Sequence, residues 1–258
     1  TIVDELPCDT ILRSGQRCDG MNRWGKKTIP SEFAPCEYIY ALSCIKCDVP
    51  RMHHMCFGIL DSSEEQALAI EDGIMARLRV KPVQNKHNER AIMALREIMM
   101  NPSCGKSAIL MGPVGTGKTF LAQHTLKAII SKHRLKCLYV QEHTILNAWR
   151  FSQQKDKQAT AAWAGRLLGM ARSAEYLLID DFGASRRTSD GALDALEELV
   201  MVRYDAARPV IITTNLKPED IETRRGSRVW SRLKGMAKEN VIEINGGDYR
   251  QDVKWEVN

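Results

Sequence analysis

The sequence predicts an α/β fold: a parallel sheet with helices on both faces, preceded by a small cysteine-rich module. Three observations predict it. From position 107 onward, short apolar runs alternate with amphipathic helical patterns, the signature of a parallel sheet covered on both sides. A glycine-rich stretch ending Gly117-Lys118-Thr119 lies between the first of those runs and the helical pattern after it. Six cysteines, Cys8, Cys18, Cys36, Cys44, Cys47 and Cys56, crowd the first quarter of the chain, and only Cys104 and Cys137 fall later.

Composition bounds the rest. With 258 residues, 44% of them apolar, the chain has material for one sizeable core and a smaller module. A formal charge of +5 permits nucleic-acid binding without demanding it. No run of 18 or more apolar residues exists, which excludes a membrane-spanning helix. The start, Thr1-Ile2-Val3-Asp4-Glu5, is acidic and lacks the order of a signal peptide. The expected location is therefore the cytoplasm.

The elements follow in order. Residues 1–60 have no sustained helical period and read as a loop-rich module that needs a staple. Ser62-Ser63-Glu64-Glu65 opens a linker helix within 61–83, since Ser caps and acids suit a helix N-terminus, and Pro82 stops it. Residues 84–258 then form the main domain. A second helix near Asn88–Met100 ends before Pro102. Strands are expected at Ser107–Met111, Cys137–Gln141, Tyr176–Ile179 and Val210–Thr214. Helices are expected at Thr119–Lys132, Thr144–Ala174 with a break around Lys155, and Ala192–Ala206.

Three motifs carry chemistry. Gly112-Pro113-Val114-Gly115-Thr116-Gly117-Lys118-Thr119 follows an apolar strand and opens a helix, the context a phosphate-binding loop requires. The glycines let backbone N–H groups turn toward phosphate oxygens, and the helix N-terminus favours negative charge. Lys118 is expected to reach the β- and γ-phosphates of ATP, and Thr119 to bind Mg²⁺. The second motif, Leu177-Leu178-Ile179-Asp180-Asp181, ends a buried strand in carboxylates, at the sheet edge where ligands of open α/β sheets bind. Asp180 is assigned to the Mg²⁺ side, through water, and Asp181 to polarising the attacking water. The third, Val210-Ile211-Ile212-Thr213-Thr214-Asn215, ends a neighbouring strand. Asn215 is expected to hydrogen-bond the lytic water or the γ-phosphate, although Asn also ends strands for turn reasons.

Together these elements resemble the AAA+ ATPases of the DnaC/DnaI helicase-loader and IstB transposition group. The resemblance covers roughly residues 84–258. It extends through Arg228-Val229-Trp230-Ser231-Arg232-Leu233-Lys234, Val241-Ile242-Glu243-Ile244 and Gly247-Asp248-Tyr249-Arg250. It implies a P-loop ATPase that forms a homo-oligomer through shared ATP sites. Arg232 would reach the neighbouring subunit's γ-phosphate, and Arg250 would contact phosphate in its own subunit. So little chain follows Arg250 that the separate helical lid of longer AAA+ proteins is expected to be small or absent. A replicative helicase and single-stranded DNA are the implied partners of a loader; duplex DNA and a transposase are those of the IstB alternative.

The stretch Trp149-Arg150-Phe151-Ser152-Gln153-Gln154-Lys155-Asp156-Lys157, with Arg166 and Arg172 after it, mixes aromatic and basic residues. In loaders this region faces single-stranded DNA, which basic groups track and aromatics stack upon. An ordinary amphipathic helix with Trp149 and Phe151 in the core fits the pattern equally.

The cysteine cluster reads as metal binding before disulfides in a reducing compartment. Cys44-x-x-Cys47 is a zinc half-site. Cys36 and Cys56 flank it and complete a Cys₄ set for one Zn²⁺, with His53 or His54 as substitutes for one thiolate. Two ions remain an alternative. A zinc module ahead of the ATPase domain resembles the DnaI-type arrangement, in which it grips the helicase, although the ligand spacing differs.

Overall fold

The structure is a computed structural model describing residues 2–7, 21–25, 43–44 and 82–249, apart from 83, 134, 155–157 and 186–187. Near the N-terminus, β1 (Ile2–Pro7), β2 (Met21–Gly25) and β3 (Ser43–Cys44) form an antiparallel sheet in that order. Leu6 lies opposite Asn22, and Arg23 opposite Ser43. These strands fall in the segment read as loops, because none carries a clear alternating apolar pattern. The linker helix within 61–83 and the zinc ligands Cys36, Cys47 and Cys56 lie outside the described residues, as does the side chain of Cys44.

The main domain alternates helix and strand. α1 (Glu89–Met100) leads to β4 (Ala108–Met111), α2 (Lys118–His133), β5 (Cys137–Gln141), α3 (Glu142–Ser152) and α4 (Gln158–Ser173). β6 (Tyr176–Asp180), α5 (Asp190–Asp205), β7 (Val210–Thr214), α6 (Pro218–Arg225), α7 (Ser227–Ala237) and β8 (Val241–Glu243) complete it. The helical run expected from Thr144 to Ala174 does break near Lys155, into α3 and α4.

The five strands are all parallel, in the order β5-β6-β7-β4-β8. β4 to β7 are apolar over most of their length because they are buried on both faces, whereas the edge strand β8 is only partly buried. Successive side chains still alternate. Ile109, Leu138, Val140, Leu177, Ile179, Val210 and Ile212 enter the core under α3, α4, α5, α6 and α7. Ala108, Leu110, Tyr139, Leu178, Ile211 and Ile242 enter the other, under α1 and α2. Among the described residues no helix is long and apolar enough to cross a membrane.

One buried cation belongs to the framework. Arg203 on α5 is 0% exposed. Its guanidinium donates to Ala171 O at 2.7 Å and Ala174 O at 2.9 Å, around the end of α4, and to Pro209 O at 2.7 Å before β7. A cation at a helix C-terminus satisfies carbonyls that lack intrahelical partners. Burial, with Arg208 nearby, lowers its pKa to about 10.

Candidate functional site

The site starts where β4 ends. Gly112 has φ +140, and a Cβ there would collide with the carbonyl oxygen of Ile244, just past β8. Gly115 has φ +86, and a Cβ there would strike the Asp248 carboxylate. Only glycine tolerates both the backbone geometry and the close approach. Two further bonds secure the loop: Ile244 N donates to Met111 O at 2.8 Å, and Tyr249 N donates to Gly115 O at 3.0 Å. The Tyr249 hydroxyl accepts a bond from Asn85 Nδ2 at 2.7 Å. The loop is thus seated by residues late in the domain, one of which, Tyr249, is bonded in turn to Asn85 near the domain's start.

Lys118 and Thr119 open α2 beneath this loop. The buried Lys118 ammonium donates to Gly112 O at 2.8 Å and Pro113 O at 2.6 Å. It is held inside the loop, which suits a cation meant for phosphate oxygens entering the same cradle. Asp180, at the end of β6, is 2% exposed. Its Oδ1 accepts from Thr119 Oγ1 at 2.7 Å and from Thr213 Oγ1, and its Oδ2 accepts from the Tyr139 hydroxyl at 2.9 Å. Burial, reinforced by Asp180, pushes the Tyr139 phenol far above its ordinary pKa, so it stays a donor.

These residues fit ATP and Mg²⁺. The loop carries the glycines, the lysine and the helix start that an anion needs. Beside it, a carboxylate and hydroxyls supply hard oxygen donors of the kind Mg²⁺ takes. When bound, Mg²⁺ neutralises charge on the phosphate oxygens. Thr119 and Asp180 would hold it on the protein side, and their direct contact is the meeting of the first two motifs.

The other expected site residues are placed as follows. Asp181 is half-buried, with φ 52, and its backbone N donates to Thr213 Oγ1 at 3.1 Å. Asn215 lies exposed just beyond β7. The buried polar side chain of that strand that touches Asp180 is Thr213 instead. Arg232, half-buried on α7, stacks its guanidinium over the Tyr204 ring of α5, with Cζ 4.7 Å from the ring centre. Arg228 pairs with Glu197 at 2.8 Å. Pro113 and Val114 are exposed at the loop's tip, and Thr116 is buried with its hydroxyl on Pro113 O at 3.0 Å. Arg250 lies outside the described residues.

In the stretch considered for DNA, Trp149 and Phe151 pack against the core, and the Trp149 ring abuts Gly191 at the start of α5. Arg150 and Arg166 are exposed, and Arg172 pairs with Glu198 at 3.0 Å. The core alternative for the two aromatics is therefore the one the structure adopts.

Tyr139 lies outside the three motifs, and Thr213 lies inside the third, where only Asn215 was given a role; both contact Asp180. Each is a polar residue within an apolar strand run. A hydroxyl in a strand buried on both faces needs a partner, and that need was the available signal.

Sheet order, phosphate loop and the Asp180 cluster together define a P-loop ATPase of the AAA+ class. The family model for the IstB-like ATP binding protein matches residues 83–255, and the chain belongs to that family. Among curated relatives, an ATP-binding protein in insertion sequence from Mycobacterium tuberculosis is 30% identical over 131 residues, 51% of this chain and 47% of that protein. The replication factor C large subunit of Staphylothermus marinus is 26% identical over 62% of this chain and 36% of that protein. The chain thus spans less than half the length of each. Among solved structures, the DnaC helicase loader superposes with TM-score 0.55 at 25% identity, over 67% of this chain and 97% of that one. DnaI gives TM-score 0.55 at 19% identity, over 69% and 92% of the two chains, a likeness of fold. ATP binding and hydrolysis are the activity that the family and the site define.

Proposed function

We propose that this ATPase loads a hexameric replicative helicase, binding single-stranded DNA and the helicase during DNA replication. The observation that carries the reading is the likeness in shape to nearly the whole of the DnaC helicase loader chain. The cysteine-rich N-terminal segment fits the same reading as a zinc module that grips the partner.

In this proposal Lys118 and the backbone of Gly112–Thr119 hold the phosphates, and Thr119 with Asp180 faces Mg²⁺. Asp181 orients and polarises the attacking water, with Asn215 beside it. Arg232 acts on the ATP of the neighbouring subunit in a homo-oligomer, and Arg250 on that of its own. A guanidinium spread over developing phosphoryl charge is suited to both places. ATP binding drives assembly and grip on DNA, and hydrolysis drives release.

A second reading is favoured by the insertion-sequence relative: an IstB-like transposition ATPase that assembles on duplex DNA and recruits a transposase. The two differ in partner and in DNA form. A pull-down of the host's replicative helicase with the full chain, beside ATPase rates with single-stranded and duplex DNA, decides between them. Helicase capture with stimulation by single strands is expected. No helicase capture, with stimulation by duplex alone, overturns the loader reading.

A further inference from the structure

The loop after β6 carries Asp181 and is held from two sides. From β7, Thr213 Oγ1 accepts from Asp181 N at 3.1 Å, Thr213 O accepts from Phe182 N at 2.8 Å, and Thr214 Oγ1 donates to Phe182 O at 2.7 Å. From the other side, Glu142 Oε1 accepts from Gly183 N at 2.9 Å. Arg224 Nη1 donates to Gly183 O at 3.1 Å, and Arg225 Nη2 donates to Ser185 O at 3.0 Å. The second set converges on one ion pair. Arg225 grips Glu142 through two bonds of 2.6 Å, Nε to Oε1 and Nη2 to Oε2. Their side chains are 2% and 1% exposed.

The pair's place in the chain matters as much as its geometry. Glu142 is the first residue of α3, directly after β5. Arg225 is the last residue of α6, and Gly226 alone separates it from α7, which carries Arg232. We infer that Glu142 and Arg225 are positioning residues for ATP hydrolysis, one buried clamp that fixes the Asp181 loop and ties it to the helix bearing Arg232. This rests on the proposed roles of Asp181 and Arg232.

A merely structural pair makes a different statement. Two buried charges replaced by apolar side chains of similar volume leave many folds as stable as before or more so. Apolar side chains cannot accept from Gly183 N or donate to Ser185 O. Fold and clamp are therefore separable.

The test uses the full chain carrying Glu142→Met together with Arg225→Met. The expected protein folds, binds a non-hydrolysable ATP analogue as wild type does, and keeps its KM for ATP. Its kcat falls on the order of 10- to 100-fold, the scale set by ångström misplacement of a reacting group. Should that variant fail to fold, Glu142→Gln, which keeps one acceptor oxygen but loses one of the two bonds to Arg225, gives the same kinetic readout: kcat down and KM unchanged. A folded variant of either kind with wild-type kcat overturns the clamp. Asp181→Asn separates the two ideas. If it hydrolyses ATP at the wild-type rate, the role of Asp181 fails and the clamp's catalytic purpose with it. A dead Asp181→Asn beside a fully active methionine pair overturns the clamp alone.

Discussion

Replacing Thr213 by Val removes one hydroxyl and almost no volume. That hydroxyl is fully buried, donates to Asp180 Oδ1 and accepts from Asp181 N at 3.1 Å. A hydrogen bond to a charged acceptor contributes about 1.5–3 kcal/mol, and a backbone N–H left without its acceptor adds about 1 kcal/mol. Asp180 keeps Thr119 and Tyr139, so the carboxylate stays satisfied in part, and a total near 2–4 kcal/mol is expected. For a domain of this size each kcal/mol moves Tm by about 2–4 °C. Thr213→Val should thus melt roughly 5–15 °C below wild type in nucleotide-free protein. Thr213→Ser, which retains the hydroxyl, should recover most of the loss. Scanning calorimetry of the three proteins reads the shift. The variant should also hydrolyse ATP more slowly, because Asp181 loses a fixed point of its backbone. A Thr213→Val protein melting within about 1 °C of wild type would falsify the view that this hydroxyl organises the two aspartates.

Arg232→Ala should leave ATP affinity nearly intact and cut turnover by roughly 10³–10⁵, the scale of finger arginines. Mixed with Lys118→Ala protein it should regain activity through interfaces that pair an intact loop with an intact arginine; co-assembled mixtures that stay inactive refute the shared site. Elemental analysis should find at least one Zn²⁺ per chain, and chelation should abolish helicase capture while sparing ATP binding; metal-free protein that still captures the helicase counts against the zinc module. Cys137, 2% exposed, has its thiol pKa raised chiefly by burial and further by Glu175. A raised folded pKa gives stability that is present in full below the ordinary thiol pKa and lost as pH rises. Above pH ~8.5 wild type should lose about 1.4 kcal/mol per pH unit relative to Cys137→Val. Urea titrations at pH 8 and 10 giving identical losses for both proteins would sink this.

What was legible in the sequence was local. The phosphate loop announces itself because its glycines, Lys118 and Thr119 act within eight consecutive residues. Asp180 was legible because a carboxylate ending an apolar strand has few other uses. The strands were legible because burial on both faces leaves continuous apolar runs. The rest depends on which strand lies beside which. Thr213 faces Asp180 only because β7 pairs with β6, and Tyr139 only because β5 pairs with β6 on its other side. The sequence drew attention to Asn215 at the strand's end, whereas the contact with Asp180 is made two residues earlier. Glu142 and Arg225 are 83 positions apart, and neither stands in a recognisable motif. The aromatic and basic stretch at 149–157 left two readings open, base stacking and an ordinary amphipathic helix, and Trp149 and Phe151 pack against the core.

The seating of the phosphate loop by residues late in the domain bears on how the protein is made. Asn85 and Tyr249 meet across 164 positions, and the loop itself rests against Ile244 and Asp248. During synthesis the glycines of the loop leave the ribosome long before the residues that seat them. A contact of such sequence separation forms late, because its loop-closure entropy must be met first. The finished cradle is thus among the late features to mature, and tight ATP binding becomes a property of the completed domain. A growing chain carries the motif but not the pocket. The nucleotide, by binding only the closed form, then adds its own affinity to the stability of the finished domain.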